Sequence, residues 1–134
     1  MYRRHSSTSV PYDSLVVGVP REIYPNERRV ALTPSNTAAL LKKGFRKVLV
    51  EDNAGAEAQF LNEHYAAAGA TLVSRDELFK STDIMLKVRA PLLDQETNLL
   101  KTGSTSISLV HPVQNKSIVD ALAARKMNVF AVRE

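Results

Sequence analysis

Short apolar runs alternate with polar, capped stretches from residue 15 onward. LVVGV at 15–19 is apolar and rich in β-branched residues, which predicts a strand buried on both faces. A polar stretch follows. Thr33 then reads as the N-cap of a helix with Pro34 at its first position, Leu40 and Leu41 on its apolar side, and Gly44 as its stop. KVLVE at 47–51 predicts a second strand, and DNAGAEA a loop of small residues. Asn62 is the expected cap of a short helix that carries Tyr65, Ala66 and Ala68 and ends at Gly69. A third strand is expected at 70–73. Ser74 and Glu77 form a capping-box pattern ahead of a helix with Leu78 and Phe79. IMLKV at 84–88 is the fourth strand, broken by Pro91 and followed by a helix with Leu99 and Leu100 that runs to Gly103. SISLV at 106–110 is the fifth. Asn115 caps a helix with Ile118, Val119 and Leu122 on one face, and NVFAV at 128–132 is the sixth.

Apolar strands alternating with capped amphipathic helices indicate βαβ units. The expected fold is α/β, Rossmann-like or flavodoxin-like, with a mainly parallel sheet of about six strands and helices on both faces. The chain has 134 residues, enough for one domain with a real core. It has no cysteine, so disulfides and thiolate metal sites are excluded. No run of eighteen apolar residues is present, so no membrane span is expected within it. The net charge of +4 comes from scattered pairs such as Arg28-Arg29 and Lys42-Lys43, not from a basic stripe interleaved with aromatics, and nucleic acid is not an expected partner.

Residues 1–14 stand apart. MYRRHSSTSVPY is basic and Ser/Thr-rich and holds no acid, the composition of a disordered tail or a transit-peptide remnant. The remaining residues, 15–134, form one α/β subdomain. The last strand is followed by no helix, so the subdomain is expected to be truncated at its C-terminus.

In an open parallel sheet, ligands gather outside the carboxyl ends of the strands. The loop after the first strand holds Arg21, Glu22, Asn26, Glu27, Arg28 and Arg29; Lys87 and Arg89 lie at the end of the fourth; His111 follows the fifth. A guanidinium, an ammonium and an imidazole on one edge would suit a carboxylate, a phosphate or an oxo acid, with Lys87 or His111 moving protons. Each has a plainer role beside it: Lys87 reaching water from the strand's end, His111 satisfied by loop backbone, Arg29 in a surface salt bridge. His64 is expected on a helix surface. No GxGxxG and no GxxxxGK[ST] is present. No pair of histidines or carboxylates has metal-ligand spacing, and no elbow motif supports a Ser nucleophile.

VGVPREIYPNERRVALTP, then GF…KVLVE, DIMLKVRAP and SLVHPVQN, in this order, resemble the N-terminal region shared by alanine dehydrogenases and the NAD-binding part of proton-translocating NAD(P) transhydrogenases. The resemblance covers roughly residues 15–132, and the PxQN ending points to the transhydrogenase branch. It implies an enzyme that passes a hydride between NAD(H) and NADP(H) while a proton crosses a membrane. NAD(H) would be held by the completed form of this domain and NADP(H) by a separate one, with no metal. The implied partners are the remainder of the NAD-binding domain, a membrane domain, the NADP-binding domain and a second copy. The implied location is the matrix face of the mitochondrial inner membrane, or the cytoplasmic face of a bacterial membrane. The fragment alone is expected to be inactive, because the Gly-rich fingerprint lies outside it. The resemblance places Arg29, Lys87, His111 and Gln114 in the substrate or cofactor cleft, with Lys87 and His111 as catalytic candidates. In alanine dehydrogenases the first three positions handle a small oxo acid. In many transhydrogenases the histidine position is aromatic, so His111 departs from that pattern and keeps an amino-acid dehydrogenase as the alternative. A non-catalytic flavodoxin-like module ranks third: Arg21 and Ser74 stand where a receiver domain would need acids.

Overall fold

The computed structural model describes residues 12–89, 96, 99, 101, 103–108 and 128–131. His111 and Gln114, the helix expected after Asn115 and most of the one expected before Gly103 lie outside them. Tyr12–Ser14 form a single 3-10 turn. The strands are β1 (Val16–Val19), β2 (Lys47–Glu51), β3 (Thr71–Val73), β4 (Ile84–Lys87), β5 (Thr105–Ser108) and β6 (Asn128–Ala131); the described helices are α1 (Pro34–Lys43), α2 (Asn62–Ala67) and α3 (Arg75–Ser81). The sheet order is β3-β2-β1-β4-β5-β6, and every pairing is parallel. This is the order of the dinucleotide-binding doubly wound sheet rather than that of flavodoxin, and its direction reverses between β1 and β4.

Strand alternation sorts the core onto two faces. Val17 and Val19 of β1, Val48 and Val50 of β2, and Ile84 and Leu86 of β4 meet Leu40 and Leu41 of α1 and Tyr65 of α2. Val16, Leu49, Val73 and Met85 face the other way, onto Leu78 and Phe79 of α3. Helices therefore cover both sides, and the central strands read as continuous apolar runs because neither face is wet.

The helix ends follow local chemistry. Thr33 Oγ1 accepts from the Asn36 N–H at 3.1 Å, and Gly44 closes α1 at φ 109°, a left-handed conformation that costs glycine little. Ser74 Oγ accepts from the Glu77 N–H, but the Glu77 carboxylate turns to Ser81 Oγ, so only half of the expected capping box forms. The cap expected at Asn62 is corrected: Leu61 occupies the N-cap position, and His64 Nδ1 accepts its N–H at 2.9 Å. Asn62 instead accepts the Asn53 N–H and donates to Asp52, holding the turn after β2, where Asn53 has φ 65°. His64 is exposed, as expected.

Tyr65 is fully buried, and its hydroxyl donates to the Leu32 carbonyl at 2.7 Å. Burial pushes its pKa up from 10.0 to about 12. Tyr65→Phe should cost about 1–3 kcal/mol, because the carbonyl is left without a donor. The folded state holds the phenol proton more tightly, so the wild type loses stability as pH rises from 10 towards 12, while the Phe variant does not. Denaturation at pH 7 and again above pH 10 should show the gap between the two narrowing. A constant gap would contradict this account.

Candidate functional site at the carboxyl edge

The reversal between β1 and β4 opens a crevice at the carboxyl ends of these strands. β4 delivers Lys87 there on the α3 face, beside Met85 in the strand's alternation. Its side chain is 1% exposed, so the expected route to water is not taken. Burying an ammonium demands partners. Lys87 Nζ donates to Glu22 Oε1 at 3.1 Å and to Glu96 Oε2 at 3.0 Å. Glu22 comes from the loop after β1 and also accepts the Val88 N–H at 2.9 Å and the Arg89 N–H at 3.3 Å. Glu96 Oε2 accepts from Arg75 Nη2 at 3.2 Å; Arg75 Nη1 donates to Glu51 Oε1 at 3.1 Å; and that same oxygen accepts the Arg21 N–H at 2.9 Å. Arg21 and Glu22 are neighbours in sequence, so the contacts close into a ring. It ties together the carboxyl ends of β1, β2 and β4 and the start of α3.

A second cluster lies further out on the same edge. Arg29 grips Glu27 through Nε and Nη2, both at 2.8 Å, and Glu27 also accepts from Arg89 Nε at 2.8 Å. The Arg89 guanidinium lies over the Tyr24 ring, 4.5 Å from its centre. A polar recess of about 100 Å³ opens here, with Arg21, Arg28, Arg29 and Glu57 among its lining residues. A larger, mostly apolar hollow of about 670 Å³ between Thr33, Phe60 and Ala67 gathers no ion pair from either cluster. Among the described residues, no group of His, Asp or Glu could hold a metal ion, and no helix is long and apolar enough to cross a membrane.

Arg29 and Lys87 thus share the carboxyl edge, linked through Glu27, Arg89 and Glu22. Both cations already hold carboxylates, where the sequence suggested cations waiting for an anion. His111 and Gln114 are outside the described residues. Sequence reasoning passed over Glu51, Arg75 and Glu96. Glu51 carried a usable signal, as a carboxylate ending an apolar strand on the ligand side. On β5, Ser106 and Ser108 lie in register beside Met85 and Lys87, and their buried hydroxyls have no hydrogen-bond partner among the described residues.

The Arg29 fork holds the Glu27 carboxyl down, from 4.5 to about 2, against the opposing effect of burial; Arg89 adds to the lowering. A depressed carboxyl contributes stability that is fully present above pH 4.5 and is lost as pH falls towards 2. Glu27→Gln should therefore be less stable than wild type at neutral pH, with the difference fading across that window. Arg29 is half exposed, so salt should weaken the effect. Urea melts at several pH values would reveal a flat difference if the pairing carried no weight.

Strand order and a charged carboxyl edge define a doubly wound, Rossmann-type α/β domain. The family described as alanine dehydrogenase/PNT, N-terminal domain, matches residues 18–133, and the chain belongs to it. It is 40% identical over 118 residues to NAD(P) transhydrogenase subunit alpha of Haemophilus influenzae, covering 88% of this chain and 22% of that protein. It is 37% identical over 111 residues to alanine dehydrogenase 2 of Staphylococcus aureus strain Mu50, covering 83% and 29%. The solved structure of a transhydrogenase from Sinorhizobium meliloti superposes with a TM-score of 0.80 at 32% identity, over 87% of this chain and 34% of that one. The chain thus spans between a fifth and a third of the length of these relatives.

Proposed function

We propose that this chain is part of the NAD(H)-binding unit of a proton-translocating NAD(P) transhydrogenase. The whole enzyme passes hydride between NADH and NADP+ while a proton crosses a membrane. The observation that carries this reading is the 40% identity to transhydrogenase subunit alpha, which extends across the β1/β4 reversal and its charged edge. In this reading NADP(H) sits on another domain, a membrane domain carries the proton, and the unit pairs with a second copy on the matrix side of the mitochondrial inner membrane or its bacterial equivalent.

The edge suits one wall of a nicotinamide cleft: Tyr24 offers a flat apolar surface, Arg29 and Arg89 keep part of their side-chain surface exposed, and Lys87 lies buried behind them on its carboxylates. The nicotinamide supplies the hydride when bound. With no Gly-rich fingerprint in this chain, the phosphates are held by residues outside it. Lys87 is held in place by its two carboxylates, and in this reading Arg29 belongs to the same cleft, with His111 and Gln114 as the candidates that the family resemblance adds.

The competing reading is an alanine or related amino-acid dehydrogenase. It is favoured by the 37% identity to alanine dehydrogenase 2 and by a small recess of a size to take an oxo acid, lined by three arginines and three glutamates. One experiment separates them. The full-length parent protein, in vesicles, is assayed for NADP+ reduction by NADH with proton uptake, and separately for NADH oxidation by pyruvate and ammonium. Transhydrogenation without pyruvate turnover supports the proposal; the reverse result replaces it with the dehydrogenase.

A further inference from the structure

Arg75 has no part in the proposed cleft. It opens α3, half a ring away from Lys87, and its guanidinium lies over Phe79, 4.9 Å from the ring centre. Its fork is divided between two carboxylates, Glu51 and Glu96. Glu96 offers one oxygen, Oε2, to both Arg75 and Lys87, and its side chain is 1% exposed. Lys87 Nζ is held between Glu22 and Glu96, so where Arg75 holds the shared Glu96 oxygen sets one of the two anchors of the buried ammonium.

We propose that Arg75 is a positioning residue for Lys87. It acts through Glu96, while Phe79 and Glu51 fix its own plane. The planar fork is the necessary feature. A lysine at this position would supply one point charge and could not bridge Glu51 and Glu96 in fixed geometry. The ring therefore couples the start of α3 to the ligand edge of β4 through the shared Glu96 oxygen. This inference rests on the proposed role of Lys87 in the cleft.

The test has two arms. The first needs no activity. In the 15N-labelled chain, Lys87 should give a lysine ammonium resonance protected from solvent exchange, assigned by its loss in Lys87→Met. The other described lysines, Lys42, Lys43, Lys47, Lys80 and Lys101, are exposed and exchange away. Arg75→Met should shift or broaden that resonance while the backbone amide spectrum stays folded, and Arg75→Lys should give an intermediate change. If Arg75→Met does not fold, Arg75→Lys alone decides. An unmoved Lys87 resonance in a folded variant overturns the proposal. The second arm uses the full-length parent enzyme. Arg75→Met should lower kcat/KM by about tenfold to a hundredfold and displace its pH profile, as expected for a misplaced cleft group. Arg75→Lys should recover part of the loss. A lower melting temperature with an unchanged pH profile would mark Arg75 as merely structural and overturn the proposal. A parent enzyme with neither hydride-transfer activity would overturn the functional reading, and the ammonium resonance would still decide the role of Arg75.

Discussion

Gly18→Ala is expected to destabilise the chain by about 3 kcal/mol or more, beyond the usual range for an overpacked core. Gly18 lies in the middle of β1, between β2 and β4, on the face that meets α3. A Cβ placed there would stand 2.0 Å from Thr82 Oγ1, 2.6 Å from its Cγ2 and 2.8 Å from its Cβ. Thr82 cannot swing aside, because it is 1% exposed and its hydroxyl donates to the Leu78 carbonyl at 2.6 Å. The helix end would have to lift from the sheet, pulling Leu78 and Phe79 out of their contacts. Thr82→Ala removes the two closest contacts and leaves the third, so the double variant should recover part of the loss. A double-mutant cycle by urea denaturation measures this coupling. Additive effects of the two substitutions would show that the strand and α3 have room to separate.

Glu22→Ala should cost about 3–5 kcal/mol, the usual effect of stripping one partner from a buried ion pair. The N–H groups of Val88 and Arg89 lose their Glu22 acceptor, and the buried Lys87 ammonium is left with Glu96 alone. Lys87→Met should cost less, since Glu22 keeps its two backbone donors and Glu96 keeps Arg75. Glu22→Gln combined with Lys87→Met should be milder than Glu22→Ala, because no charge is left stranded and a side-chain oxygen still faces the Val88 N–H. The three variants can be ranked by chemical denaturation. A loss below about 1 kcal/mol for Glu22→Ala would mean that water reaches Lys87 and the pair behaves like a surface one.

The strands were legible in the sequence because the sheet is covered on both sides. VVGV is apolar throughout, VLVE and IMLK are apolar up to the charged residue that ends each, and their bounds shift by only a residue or so. Thr33 and Gly44 were legible because a cap is settled within one turn of chain. Asn62 misled for the same local reason. Two turns compete for its amide, and the loop after β2 wins it, leaving Leu61 at the helix entry. The charged edge was half legible. That Lys87 and Arg29 reach one rim follows from strand direction, but the choice of counter-ions does not. Glu22 and Lys87 are far apart in the chain, and Arg75 looks like any exposed helix-start arginine until α3 folds across the sheet.

The parallel sheet also bears on how the chain acquires its shape. Val17 aligns with Ile84 in the central pairing, and none of the pairings is a hairpin. Each partnership waits for the chain to return from a crossover, so folding should be slower than in a hairpin-built domain of this size. β1 is made before β4 and stays open on one side until β4 emerges, which leaves the β1–β3 segment the one most in need of chaperone cover.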